Sequence, residues 1–241
     1  MKRTQTGFGL IELMVALVLG LIASGVAMQL LLVNNQTFAH QRMVSSLEEN
    51  GQLLLRYMMS DLRQAGRGTS TDGTIAPVIM DTALPVHSTN GASGGNDELV
   101  IRYFGLRDCQ GTGNGTEQDI TNHYFVSDEG VLSCTGSLTP GTAVAELMEG
   151  VESFQVQYGI DTDANGEPNV TQYVNAGSQG SNPIVAIRFA ILIAGDGNSQ
   201  VDATASTFYL ADEVISIAAD ARLRKVFGST VMIRNYDWDG V

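Results

Sequence analysis

The sequence predicts an α+β protein in which one long N-terminal helix lies, along its second half, on an antiparallel β-sheet. Three observations carry that expectation. Residues 8–33 form a run of 26 with a single charge, Glu12. From 44 to 65 apolar residues recur every three or four positions, and no proline occurs before Pro77. Beyond residue 70 the pattern turns to short apolar runs separated by Gly, Ser, Asn and Thr segments, as in a strand-rich domain.

The 8–33 run exceeds the ~20 residues a helix needs to cross a hydrocarbon core. Lys2 and Arg3 precede it, which holds the N-terminus in the cytoplasm and sends the rest of the chain to the far side. An ordinary cleaved signal peptide fits poorly, because the run is too long, contains a carboxylate and ends without an A-x-A-like site. Gly20 and Gly25 lie inside it; each weakens a helix by ~1 kcal/mol relative to Ala and permits close helix packing. The helix continues over 34–66, with Val44, Leu47, Gly51, Leu54, Met58, Leu62 and Ala65 on one face and Glu48, Glu49, Gln52, Arg56 and Arg63 mostly elsewhere. Gly66-Arg67-Gly68 is its stop signal. A helix over 8–65 is on the order of 85 Å long at ~1.5 Å per residue.

Residues 67–241 make the β-rich head. Strands are expected at 98–104, 123–126, 151–158, 183–193, 208–217 and 226–235. The 151–158 strand reads as half-buried, with Phe154, Val156 and Tyr158 alternating against Gln155 and Gln157. The 183–193 strand, apolar on both faces apart from Arg188, reads as central. Composition assigns loops to 88–96, 111–116, 175–182 and 195–200. Cys109 and Cys134 fit one disulfide in a domain outside the reducing cytoplasm, a cross-link whose loop-closure contribution is roughly 3.5 kcal/mol.

The net charge of −13 and pI near 4.4 argue against nucleic acid as a partner, since phosphate binding needs a basic surface. No catalytic centre emerges. Gly91-Ala92-Ser93-Gly94-Gly95 matches G-x-S-x-G, but it lies in a Ser/Asn/Gly loop and lacks the strand-to-helix turn of a nucleophile elbow. His40, His87 and His123 stand far apart, and the Gly111–Gly115 stretch lacks the Lys of a phosphate-binding loop. The segment 161–166 reproduces the first half of a calcium loop through Asp161, Asp163 and Asn165, with Gly166 at the turn. Gln172 stands where the bidentate Glu is expected, so any Ca²⁺ is held weakly; the competing reading is a turn whose Asp and Asn bond their own backbone. No cofactor is required by either.

Glu12 needs an explanation, because a carboxylate in a membrane helix costs up to a few kcal/mol and usually has a partner. Gly7-Phe8-Gly9-Leu10-Ile11-Glu12-Leu13-Met14 closely resembles the processing signal of type IV pilins and pseudopilins. The resemblance implies that a prepilin peptidase cuts after Gly7, removing residues 1–7 and methylating the new terminus at Phe8. Glu12 then lies one helical turn from a new α-amino cation, on the same chain or on a subunit already in a filament. In a low-dielectric surrounding that pair registers stacked helices. Gly9 departs from the commoner Thr or Ser, and Gln29 stands in the half of the helix where major pilins often carry a proline.

Three further stretches, 150–163, 184–193 and 224–235, resemble PilW-type minor pilins, and the last is also similar to J-type minor pseudopilins of type II secretion. This implies a pilin-like fold and a minor pilin that primes assembly of a type IV pilus at or near its tip. The implied partners are other minor pilins, the major pilin, the inner-membrane assembly platform and a tip adhesin; twitching motility and cell adhesion are the implied processes. The implied location is the inner membrane, crossed once with the N-terminus cytoplasmic and the head periplasmic, and then the pilus. A type II secretion pseudopilin shares everything up to the choice of machine. A membrane-anchored periplasmic enzyme and a DNA-uptake pilin are disfavoured, the first by the lack of a catalytic cluster and the second by the charge balance.

Overall fold

A computed structural model describes residues 7, 9–69, 73, 75–163, 167–195 and 204–235. The chain forms one helix and ten strands among the described residues. Helix α1 runs without a break from Leu10–Leu62, through Gly20, Gly25 and Gln29, and is ~80 Å long. It ends three residues before the sequence expectation. Residues 63–66 tighten into turns, and Gly66 takes the left-handed conformation (φ 80°) that a side chain resists. The amide side chain of Asn235, near the far end of the chain, faces the carbonyls of Arg63, Gln64 and Ala65 at the helix end at 3.2–3.4 Å.

Three antiparallel sheets make the head. The first is a meander of β1 Leu99–Gly105, β2 Gln118–Val126, β3 Leu132–Gly136 and β4 Ala145–Met148. The second contains β5 Val151–Ile160, β6 Gln172–Val174, β7 Ile184–Ala194 and β10 Arg224–Met232, in the order β10-β7-β5-β6. The third is a hairpin of β8 Thr204–Leu210 and β9 Glu213–Asp220. The expected single strand at 208–217 is therefore two strands, reversed at Ala211 (φ 51°). β3, β4 and β6 were not anticipated: all three are short, and none carries a clean apolar alternation.

The central position of β7 explains its composition. One face, Ile187, Phe189, Ile191 and Ile193, joins the main core under α1; the other, Ala190 and Leu192, is covered by Phe208, Leu210, Ile215 and Ile217 of the hairpin. The exception, Arg188, lies 3.7 Å above the Tyr173 ring and donates to Gln157.

The expectation of a half-buried β5 is corrected. Gln155 and Gln157 are buried too: the 91–97 loop folds over Gln155, which donates to the Gly95 carbonyl at 2.8 Å, while Gln157 accepts from Arg188 and donates to Asn175 at 3.3 Å. The same loop supplies what a neighbouring strand would. Asp97 N–H donates to the Phe154 carbonyl, the Asp97 carboxylate accepts from the N–H groups of Val156 (2.7 Å) and Gly91 (2.8 Å), and Asn96 accepts from Phe154 N–H. Since β1 begins two residues later, Asp97 stitches the first sheet to the second.

The helix face that docks is Leu47, Gly51, Leu54, Leu55, Met58, Asp61 and Leu62. Val44, assigned to the stripe from its spacing, is exposed. Gly51 is the closest approach: a Cβ there would overlap the Phe227 ring of β10. Burial of the side chains on this stripe, at roughly 1.5–3 kcal/mol each, is the main force holding rod to head.

Two outcomes follow from this packing. Gly51→Ala, which would gain up to ~1 kcal/mol of helix propensity at an open site, is expected to destabilise the head by about 1–3 kcal/mol through overpacking. Phe227→Leu in the same chain should restore part of the loss, as read by chemical denaturation in detergent. Burial pushes the Asp97 carboxyl up from 3.8 to about 6. A raised folded-state value means the folded chain binds the proton more tightly than the unfolded one. Stability is then greatest below 3.8 and declines as pH rises through about 6, by roughly 3 kcal/mol for this group. The denaturation midpoint should fall over that window, and Asp97→Asn should flatten the fall.

Candidate functional site

The functional surface begins at the helix start. Gly9 is the N-cap residue, with extended backbone (φ −76°, ψ 150°) and no side chain to offer the first turn. Glu12, at the third helical position, reaches back so that its carboxylate accepts from the Gly9 N–H at 3.4 Å. A negative group in the first turn also suits the positive end of the helix dipole. The carboxylate thus points towards the end of the chain at which the processing signal lies. Gly7 is described and exposed, whereas Phe8 lies outside the described residues.

Below Glu12 the rod is bare. No residue from 9 to 39 is buried, and sixteen large apolar side chains between Leu10 and Val33 are more than half exposed, Leu10 and Leu21 at 78%. Left in water, this surface would cost on the order of tens of kcal/mol. Its length and hydropathy suffice to cross a bilayer. The only hydroxyls in this stretch and just beyond it turn inward: Ser24 donates to the Gly20 carbonyl at 2.8 Å and Thr37 to that of Val33 at 2.9 Å. Lipid or other apolar helices are the surroundings this surface requires.

At the other end of α1 a buried acid marks the dock. Asp61 accepts hydrogen bonds from the Tyr124 hydroxyl, Asn122 (2.8 Å) and the Tyr103 hydroxyl (3.1 Å). Burial raises its carboxyl above the usual range, and burial raises the hydroxyls of Tyr103 and Tyr124 as well. Asn122 also accepts from Cys109 N–H at 3.0 Å, and the Tyr57 hydroxyl, pushed up to about 12 by burial, donates to the Cys109 carbonyl at 2.5 Å. Cys109 is bonded to Cys134 with Cα atoms 6.5 Å apart, the pairing expected from the sequence. The helix is thereby tied to the disulfide-bridged part of the first sheet. Every donor here is aimed at an acceptor of the protein, and phenols held protonated are poor nucleophiles, so the cluster reads as a dock. Spacing alone pointed past Asp61, which follows the stripe residue Met58 by three positions and could have been noticed on that ground.

The remaining sequence expectations fall as follows. Ser93 lies on an exposed turn followed by strand β1, with no helix after it. His87 contacts the Leu84 carbonyl and His123 the Glu98 carboxylate, so the histidines do not converge. Asp161 is buried, its two oxygens accepting from the N–H groups of Asp163 (3.2 Å) and Asn169 (3.3 Å), while Asn169 donates to Asp163. Asn165, the third expected ligand, lies outside the described residues. Among the described residues no three His, Cys, Asp or Glu side chains are gathered for a metal. An ion-pair knot that spacing did not suggest lies at the start of β10: Arg224, nearly enclosed, is clasped by Glu152 and Asp220. Its bonds to Asp220 hold that carboxyl down at about 2.

Comparison with known proteins bears on this arrangement. Residues 2–28 match the family model of the prokaryotic N-terminal methylation motif. Residues 120–235 match that of type IV pilus-assembly protein W. No curated protein matches the chain. Among solved structures, a type IV-like pilin from Thermus thermophilus is similar, at 19% identity and a TM-score of 0.47, over 78% of this chain and 97% of that one. A methylation motif at the start of an exposed apolar rod, with a head matching the pilus-assembly family, supports a type IV minor pilin.

Proposed function

We propose that this minor pilin primes assembly of a type IV pilus and is retained at or near its tip. The observation that most supports the reading is the bare apolar rod with Glu12 turned back towards its start. Such a surface is stable in a bilayer and equally stable in a bundle of like helices, so movement between the two exchanges one apolar surrounding for another. Prepilin peptidase would release an α-amine at Phe8. Glu12 would pair with it, in the same chain or across subunits, and an unpaired charge in that surrounding is penalised. Before extraction the N-terminus is on the cytoplasmic side and the head in the periplasm, where the Cys109–Cys134 bridge persists. The major pilin, other minor pilins, the inner-membrane platform and a tip adhesin are the proposed partners. The role is structural, and the match to the pilus-assembly family favours the pilus over a type II secretion machine.

Replacing Gly7 with Leu should leave uncut precursor in the membrane, visible as a mass retaining residues 1–7. Glu12→Ala should be cut normally yet yield few or no pili by electron microscopy. Normal piliation by both variants would refute the role, and loss of secreted enzymes with intact pili would move it to secretion. For the 161–166 segment we propose calcium binding no tighter than about 1 mM, because the Asp161 oxygens already serve backbone N–H groups and Gln172 is neutral. Titration calorimetry should show no heat at micromolar Ca²⁺, and a micromolar Kd would restore the calcium loop.

A further inference from the structure

Beside α1 the head leaves a groove of about 590 Å³. One wall is the helix face of Met43, Leu47, Leu53 and Leu54; the other is β4, and the end of β7 closes the floor. Four consecutive residues, 146–149, line it. Side chains of a strand alternate between faces, so a wall that uses every residue is the edge of the strand and not a face. β4 is the last strand of its sheet, bonded only to β3, and no backbone group of 145–148 is bonded on its outer side among the described residues. Glu146 and Glu149 stand at this edge, exposed, and form no ion pair among the described residues. Leu53, two-thirds exposed, leaves apolar surface open opposite them.

We propose that this groove receives an extended segment of another pilus subunit, apolar residues alternating with Lys or Arg, which adds to β4 as a fifth strand of the first sheet. The unpaired edge selects a strand over a helix, because a helix has already used its own backbone groups. The two carboxylates select basic side chains. They also disfavour a second copy of this chain, whose net charge is −13. Four residues of β4 fix the added strand at about four residues, on the order of 13 Å. The inference rests on the type IV pilin reading and names the contact by which the head recruits a neighbour.

The test uses the full chain in lipid nanodiscs and a blocked hexapeptide alternating Val with Lys. Binding should slow amide hydrogen exchange at 145–149, and the double variant E146K/E149K should weaken it at least about fivefold. N-methylation of alternate peptide amides should abolish it. Equal binding of the N-methylated peptide, or preferential binding of an Ala-rich helical peptide with the same number of lysines, would overturn the proposal. So would no binding at all, unchanged affinity in E146K/E149K (the carboxylates then only guard the edge), or dimerisation of the chain through 145–149. In cells, E146K/E149K should be processed normally and assemble poorly. The two readings separate there: normal pili without this chain at all would refute the priming role, while the peptide result concerns the groove alone.

Discussion

One unbroken helix has to satisfy two different surroundings, and the rest of the molecule is arranged around that constraint. Its first half has no partner within the chain, so its apolar side chains require lipid or neighbouring helices. Its second half has a partner on one face only, and the head exists in its present shape because it must cover that face. A rod apolar all round along its entire length would have no place for a head, and an amphipathic rod throughout would have no place in a membrane.

The dock is made specific by a few contacts that generic apolar packing would not provide. Gly51 lets the Phe227 ring lie against the helix backbone, and Asp61 brings a buried acid to Tyr103, Asn122 and Tyr124 of the first sheet. A buried carboxylate is a costly way to add stability, but it tolerates only one placement of its donors. Rod and first sheet therefore have a single register, and Asp97 extends that register to the second sheet through the edge of β5. Apolar burial supplies the strength of this arrangement, and the polar contacts supply its geometry.

Much of this was legible in the sequence, for reasons that differ from element to element. The rod could be read from end to end because its signals are long: 26 residues with one charge, then a stripe at steps of three and four. β7 was legible because a strand buried on both faces is apolar at nearly every position, and the cysteine pair because no other cysteine competes with it. Contacts made across the fold were hidden. Gln155 and Gln157 look like an exposed face until the 91–97 loop closes over the first and Arg188 and Asn175 engage the second, and the Phe208–Ile217 stretch looks like one strand because a reversal at Ala211 has no glycine to mark it. Short strands such as β4 and β6 carry too few residues to show a period. At the site, Glu12 announced itself by being a lone charge in an apolar run. Asp61 did not, because one more acid on an amphipathic helix is unremarkable until its donors on the first sheet are seen.

The last strand, β10, has a mechanical meaning. It runs alongside α1 in the same direction: Lys225 meets Glu48, Phe227 meets Gly51, Ser229 meets Met59, and Asn235 meets the helix end. A pull along the rod therefore loads this whole seam lengthwise, so its contacts resist together, as in a lap joint, where a perpendicular pull would peel them apart one at a time. A thread built from such units can bear traction without shedding its heads, and a chain cut short before Asn235 would lose the final rivet of that joint.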